Sequence, residues 1–345
     1  MKQIQKTIQI KLLPDSVQEQ LISATMNEYI RTVNECVADM VTFNEFGKLT
    51  SKNVCARLPS ALKNQCIADA KSVFKKYRKT GIESILKKPI AVWNNQNYKV
   101  TAECISFPVL PNNKSTRIKV KAFIPTETLK LLQSTKLGSL RITKKNNKLI
   151  AQIAVSIKES VSSGNGVMGV DLGLKCPAVC YSDTGKVKFI GNGRKNKYIR
   201  RHFKTKRKKL GKAKKLNAIK KLRNKEQRIM KDIDHKLSRE IVNFAVKNSI
   251  GTIKLEKLAN IRRTTRKSRK NEFNLHTWSF YRLASFIEYK AKLLGIKVEY
   301  VDPAYTSQIC PVCGKLNHAN DRNYQCDCGY HTHRDLVGAM NICAA

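Results

Sequence analysis

Cys310-Pro-Val-Cys313-Gly and Cys326-Asp-Cys328-Gly present four thiols in two tight pairs, with twelve residues between Cys313 and Cys326. Each pair reads as a knuckle, a short turn that sets two soft ligands on one side. Gly314 or Gly329 supplies the backbone freedom that such a turn needs. Four thiolates complete a tetrahedral zinc shell and leave no open position, so a metal held there is structural and not hydrolytic. His318, His331 and His333 lie close by and are surplus to a shell that the thiols already fill. Seven other cysteines (Cys36, Cys55, Cys66, Cys104, Cys176, Cys180 and Cys343) stand singly in mostly apolar settings and read as core residues.

Acids are scarce in this chain, with 25 Asp and Glu against 67 Lys and Arg. An acid inside an apolar strand is therefore conspicuous. Asp171 sits in "GVDLG", Glu256 in "IKLEKL", and Asp335 opens the helix-patterned "DLVGAMNI". Singly, each has an ordinary role open to it: Asp171 as a turn former, Glu256 as an ion-pair partner, Asp335 as a helix N-cap. Together they follow an order: strand and hairpin with Asp, helix, strand ending in Glu, helix opening with Asp. That is the order of the RNase H-like fold, in which three carboxylates converge at one edge of a central sheet. Such a cluster suits two Mg²⁺, hard ions that prefer oxygen ligands. Two ions about 4 Å apart serve phosphodiester hydrolysis by activating water and stabilising the leaving oxygen.

The elements that must carry these groups are legible in periodicity. "KTIQIKLL" alternates with period two and predicts a strand with Ile8, Ile10 and Leu12 on one face. A helix follows "PDSVQEQL", with Ser16 and Glu19 at capping-box spacing and Leu21, Ile30, Val33, Val37 and Met40 inward. A second helix is predicted from Pro59 to Arg78. Short alternating segments from about 98 to 160, with "KKNNK" as a hairpin loop, predict a small antiparallel barrel or sheet completed by the first strand. The helical stretch is then an insertion in it. "SSGNG" at 162–166 reads as a linker. Beyond it, "VMGVDLG" is an apolar strand and "AVCYSDTGKVKFIG" a hairpin turning at Asp183-Thr184-Gly185. "SIGTIKLEKL", "HTWSFYRLASFIEYKAKLLGI" and "KVEYVD" read as strand, helix and strand.

Charge sets the class of partner. The formal net charge is +42, with 41% hydrophobic residues, which describes a globular chain that needs a polyanion and points to nucleic acid. Residues 194–231 hold nineteen Lys or Arg and one acid, Glu226. Leu210, Ala213, Leu216, Ile219 and Leu222 recur every three residues within it. That pattern predicts a helix with one packed stripe and a cationic remainder facing phosphate, with Lys206, Arg207, Lys208 and Lys209 at its centre. No apolar run reaches membrane-spanning length and the N-terminal segment lacks a signal-peptide pattern, so an intracellular protein is expected, cytoplasmic and nucleoid-associated if the source is prokaryotic.

"GVDLG", "IKLEKL", "YTSQICPVCG" and "CDCGYHTHRDLVGAMNI" together resemble the TnpB family, as do "DIDHKLSREIV" at 232–242 and "HTWSFYRLASFIEYKAKLLGI" at 276–296. The likeness is specific over about 167–343 and rests on organisation alone over 1–165. It implies a transposon-encoded, RNA-guided DNA endonuclease, related to type V CRISPR effectors and Fanzor proteins, that cuts DNA beside a short adjacent motif. Asp171, Glu256 and Asp335 are then the RuvC-type catalytic acids, holding catalytic Mg²⁺. Cys310, Cys313, Cys326 and Cys328 hold structural Zn²⁺, and the partners are a guide RNA and its target DNA. The implied α/β architecture has a β-barrel wedge domain at 1–12 and 95–164 and a helical recognition domain at 13–94. A RuvC-like, RNase H-like nuclease domain spans 165–345, with a zinc-ribbon insert at 304–333. Relatives often continue well past the last acid, whereas this sequence has ten residues after Asp335. Other functions compatible with the same residues are a non-cleaving RNA-guided DNA-binding repressor and a zinc-ribbon DNA-binding transposition accessory protein.

Overall fold

A computed structural model describes residues 3–110, 114–159, 164–258, 269–319 and 321–345. Two compact units divide the chain, Met1–Lys158 and Glu159–Ala345.

In the first unit, β1 (Gln3–Leu12) alternates as its sequence requires and buries Ile8, Ile10 and Leu12. The helices α1 (Ser16–Thr42) and α2 (Ser60–Thr80) follow, then β2 (Ile90–Trp93), β3 (Lys99–Val100), β4 (Cys104–Val109), β5 (Thr116–Phe123), α3 (Thr126–Ser134), β6 (Lys136–Lys145) and β7 (Lys148–Lys158). The strands form one antiparallel sheet in the order β2-β6-β7-β1-β5-β4-β3, with β1 in the middle. Asn146 and Asn147 turn the β6–β7 hairpin with φ of 50° and 60°, the left-handed pair that a two-residue hairpin loop demands. Trp93 packs on Phe107 at 4.8 Å and its indole N–H donates to the Pro108 carbonyl at 3.0 Å, linking edge strand β2 to β4.

The capping box expected at Ser16 and Glu19 is absent. Asp15 caps α1 instead, accepting from the Gln18 N–H at 2.7 Å, while Glu19 pairs with Lys144 at 2.9 Å. A carboxylate one residue earlier satisfies the same orphan donors and also meets the positive helix end. Ile30, Val33, Val37 and Met40 are buried as expected, but Ile22 takes the inward place assigned to Leu21. Leu62, Cys66, Ala70 and Phe74 of α2 enter the same continuous core as the strands. β2 lies within 13–94 in sequence, yet it pairs with β6 in the sheet. Among the single cysteines, Cys36, Cys66, Cys180 and Cys343 are buried and Cys104 and Cys176 intermediate. Cys55 is exposed, against expectation.

The second unit is built on five strands in the order β10-β9-β8-β11-β12. These are β8 (Gly166–Asp171), β9 (Ala178–Ser182), β10 (Val187–Ile190), β11 (Ile250–Glu256) and β12 (Lys297–Val301). β8, β9 and β10 pair antiparallel, β9 and β10 through a short turn, whereas β11 lies parallel to both β8 and β12. The basic segment and its continuation form α4 (Gly193–Lys212), α5 (Leu216–Leu222) and α6 (Lys225–Lys247). Then come α7 (Arg269–His276), α8 (Phe280–Leu293), the hairpin strands β13 (Asn323–Gln325) and β14 (His331–His333), and α9 (Arg334–Ala344). No helix among the described residues is long and apolar enough to cross a membrane.

Met168 and Val170 of β8 face a core shared with Leu237, Ile241 and Ala245 of α6 and Leu283, Ile287 and Ala291 of α8. Asp234 stitches these two helices, accepting from Arg282 Nε at 2.7 Å and Ser279 Oγ at 2.8 Å, and Lys290 donates to Ser238 Oγ at 2.6 Å. Because strand side chains alternate, Gly169 and Asp171 point to the other face, where α9 packs. A Cβ on Gly169 would stand 2.1 Å from the Ala339 carbonyl oxygen, so only glycine lets α9 lie this close to β8.

Candidate functional site

β8 and β11 are parallel neighbours with Val170 opposite Leu255. Asp171 and Glu256 are the next residue on each strand, so both acids leave the sheet at the same edge and level. α9 supplies the third. It sits so tightly on β8 that a Cβ at Gly338 would lie 3.2 Å from Asp171 Oδ2, and its first turn carries Asp335.

The electrostatics follow from this crowding. Burial pushes the Asp171 carboxyl well above its ordinary value, and the charges of Glu256 and Asp335 push it further, against Arg322 and Arg334. Burial also raises Glu256, opposed by the Thr306 hydroxyl, which donates to Glu256 Oε1 at 2.5 Å. Asp335 is 5% exposed. One of its oxygens pairs with Arg322, and the other, Oδ2, is buried with no hydrogen-bond partner. An orphaned anionic oxygen beside two carboxylates whose charge is disfavoured is a cluster that a cation would relieve.

Asp335 is not the cap of α9, as the sequence allowed. His333 is: its Nδ1 accepts from the Asp335 N–H at 3.2 Å. The helix begins one residue earlier than the acid, which frees the Asp335 carboxylate for the cluster and gives His333 a role apart from metal binding. Thr306 and Arg322 were not singled out from sequence. Asn341 of α9 donates to the carbonyls of Thr306 and Ile309 at 2.7 and 2.8 Å, holding that loop beside the acids.

The four cysteine sulfurs all lie within 4.8 Å of one another, and among the described residues they are the one group of potential ligands so close. The Cys310–Cys328 and Cys313–Cys326 sulfurs stand 3.7 and 3.5 Å apart. Bonds of about 2.3 Å to a tetrahedral centre imply edges of about 3.8 Å. Gly314 and Gly329 adopt φ of 72° and 84°, the left-handed turns the knuckles call for. At Cys310 burial raises the thiol, but backbone N–H groups of Cys313 and Val312 outweigh it and bring it down to about 6. No histidine joins the group. Cys310 packs with Tyr324 and with Val337 of α9, so the cysteine unit and the acid-bearing helix share one small core.

Two family models match the chain. "Cas12f1-like, TNB domain" covers 280–342, the span with the cysteines and Asp335, and "Probable transposase" covers 140–262, with Asp171 and Glu256. TnpB-like protein MJ0751 of Methanocaldococcus jannaschii is 38% identical over 157 residues, 43% of this chain and 56% of that protein. Over these spans the chain is similar to TnpB-family proteins. CRISPR-associated endodeoxyribonuclease Cas12f1 of Sulfoacidibacillus thermotolerans is 31% identical over 196 residues, 52% of this chain and 45% of that one. The chain thus spans about half the length of these two curated relatives. The cryo-EM structure of a Cas12f1–sgRNA–target DNA complex matches in fold, with a TM-score of 0.72 over 99% of this chain and 98% of that chain at 14% identity.

The basic segment departs from the single striped helix that its spacing predicted. Lys214 and Arg223 take φ of 52° and 45° and break it into α4, α5 and α6. α5 buries no residue and Leu216 is 64% exposed, so the apolar stripe does not pack as a whole; Phe203 of α4 is the large residue that does. Lys206, Arg207, Lys208 and Lys209 are all exposed on α4. Arg207 pairs with Glu226 of α6 at 2.7 Å, tying the two helices, whereas the three lysines pair with no carboxylate among the described residues.

Proposed function

We propose that this protein is an RNA-guided DNA endonuclease that cuts target DNA beside a short adjacent motif, with Asp171, Glu256 and Asp335 as its catalytic acids. The observation that carries the reading is the meeting of three acids, from two parallel strand ends and one helix start, at one edge of a five-stranded sheet. The strand order supports an RNase H-like, RuvC-type domain over 165–345 with the cysteine unit as a zinc-ribbon insert. The curled sheet and α1–α2 fit a wedge domain (1–12 and 95–164) and a recognition domain (13–94). The likeness to TnpB-like and Cas12f1 proteins supports a guide RNA and a DNA target as partners.

The residues fit divalent cations. Asp335 Oδ2 has no other partner, and beside it burial disfavours the charged form of both Asp171 and Glu256. When bound, Mg²⁺ supplies an activated water and a counter-charge for the leaving oxygen. The chain's own part is to hold and orient. Thr306 fixes Glu256 by donating to Oε1, Arg322 holds one oxygen of Asp335, and the contact of α9 with β8 sets Asp335 against Asp171. The four cysteines would hold zinc and keep α9 in place through their shared core.

The test is to purify the protein with its co-expressed RNA and supply matched DNA carrying randomised flanks. Mg²⁺-dependent cleavage next to one selected flank is expected. A complex that binds its target and leaves it intact overturns the nuclease reading in favour of a repressor. RNA binding is expected to centre on α4. Replacing Lys206, Arg207, Lys208 and Lys209 together by Gln should lower the slope of log affinity against log salt by about two to three, since each lost phosphate contact removes about 0.7 to 0.9 and Arg207 is already engaged by Glu226. An unchanged slope places the RNA footprint elsewhere.

A further inference from the structure

A cavity of about 530 Å³ opens beside Glu256, lined also by Leu172, Lys257, Phe280, Tyr281, Glu288 and Tyr300. Of the three acids Glu256 itself lines the cavity, and Leu172, which follows Asp171 in the chain, lines it too. The volume is that of a small-ligand site. Its walls are mainly apolar and aromatic, and two of its rings are open to solvent: Tyr281 is 77% exposed and Tyr300 45%. The Tyr300 hydroxyl donates to Glu288 Oε2 at 3.2 Å, which steadies that ring. Exposed tyrosines bordering a cluster of acids are poorly explained by packing.

We infer that this cavity seats one unpaired nucleobase of the DNA strand being cut, stacked on Tyr281, with Lys257 meeting an adjoining phosphate. The inference rests on the nuclease reading above and adds a positioning site to it. Charge decides which part of a nucleotide enters. In the nuclease reading Glu256 is engaged by cations, whereas Glu288 lines the cavity with its charge uncovered, so a phosphate is disfavoured beside Glu288 and a neutral base with a π-face is accepted by the aromatic wall. The phosphate is left at the rim, where Lys257 is exposed. A base within a duplex has no free face to offer, so the strand must be single at this point. A base fixed here would place its neighbouring phosphate beside the acids, the orientation that hydrolysis requires.

The test uses the RNA-loaded protein bound to matched DNA in which single thymidines of the cut strand are replaced by 5-iododeoxyuridine. Irradiation with Ca²⁺ in place of Mg²⁺, followed by peptide mapping, is expected to place the cross-link on Tyr281 or Tyr300. In parallel, Tyr281→Ala should slow single-turnover cleavage at limiting complex by about tenfold, the size of one lost base stack. Tyr281→Phe should retain the rate, because it keeps the ring face. Tyr281 is exposed, so the melting temperature should not move with either change. Cross-links found only elsewhere, or an unaltered rate in Tyr281→Ala, overturn the inference. So does a cross-link to these tyrosines from 5-iodouridine in the RNA, which would assign the cavity to the guide. The two readings fail separately. Intact DNA with Tyr281 cross-linked removes the cutting and keeps the seat, whereas full cleavage with cross-links only elsewhere removes the seat and keeps the cutting.

Discussion

Asp171→Ala, Glu256→Ala and Asp335→Ala are each expected to lower Mg²⁺-dependent cleavage by about 10³-fold or more while the chain stays folded, retains zinc and binds RNA. Metal ions contribute several kcal/mol of transition-state charge stabilisation, and each 1.36 kcal/mol lost is tenfold in rate. The three acids act as one anchor, so combining substitutions should add little to any single one. Stability moves the other way. The folded Asp171 carboxyl is held above its unfolded value, first by burial and then by Glu256 and Asp335. A raised acid contributes stability that is complete below its unfolded pKa and is lost as pH rises through its folded pKa. At neutral pH without divalent ions, the buried acid is therefore a cost relative to the unfolded chain. Asp171→Asn should melt higher than wild type there, and saturating Mg²⁺ should narrow the gap by stabilising wild type alone. His333 provides the cap of α9, so Asp335→Ala should leave that helix intact. Thr306→Val should lower cleavage less than Glu256→Ala, since it orients an acid and does not replace one. A wild-type rate in any alanine variant of the trio would remove that acid from the site.

Cys310→Ser and Cys313→Ser should each lose about one zinc per chain and, with it, the local fold of 304–333 and most cleavage. The unit has a very small core, in which Cys310, Tyr324 and Val337 are the buried members, far below what a segment needs to fold unaided. Metal binding must then supply the folding free energy, about 10 kcal/mol or more in comparable small zinc units. The effect reaches the acids because Val337 lies on α9 two residues from Asp335, and Arg322, which pairs with Asp335, lies within the unit. Metal analysis of purified protein and limited proteolysis across 304–333 read the two effects directly. Native protein free of zinc, or a Cys310→Ser variant with unchanged protease resistance and cleavage, would show that the four thiols do not hold the unit together.

The groups proposed to bear the chemistry were legible because each declares itself over a short stretch. Two thiol pairs with glycine behind each specify a knuckle by local backbone geometry, and Gly314 and Gly329 adopt the left-handed φ that this requires. An acid ending an apolar run, as Asp171 and Glu256 do, is visible because burial otherwise excludes it. The period-two pattern of β1 and the Asn146-Asn147 turn are likewise nearest-neighbour properties. What only the tertiary structure decided depends on groups distant in sequence or on competition between equivalent choices. Asp15 and Ser16 are both good caps, and backbone direction chose between them. His333, not Asp335, caps α9 because the hairpin β13–β14 delivers the chain to the helix one residue early. Lys214 and Arg223 break the basic segment because its apolar residues, although regularly spaced, find no partner surface over α5, and crowded cations gain nothing from a continuous helix. Thr306, Arg322 and the tyrosines beside Glu256 carry no pattern at all. Their meaning lies in the atoms they face, and those are set by how β11, α8 and α9 pack around β8.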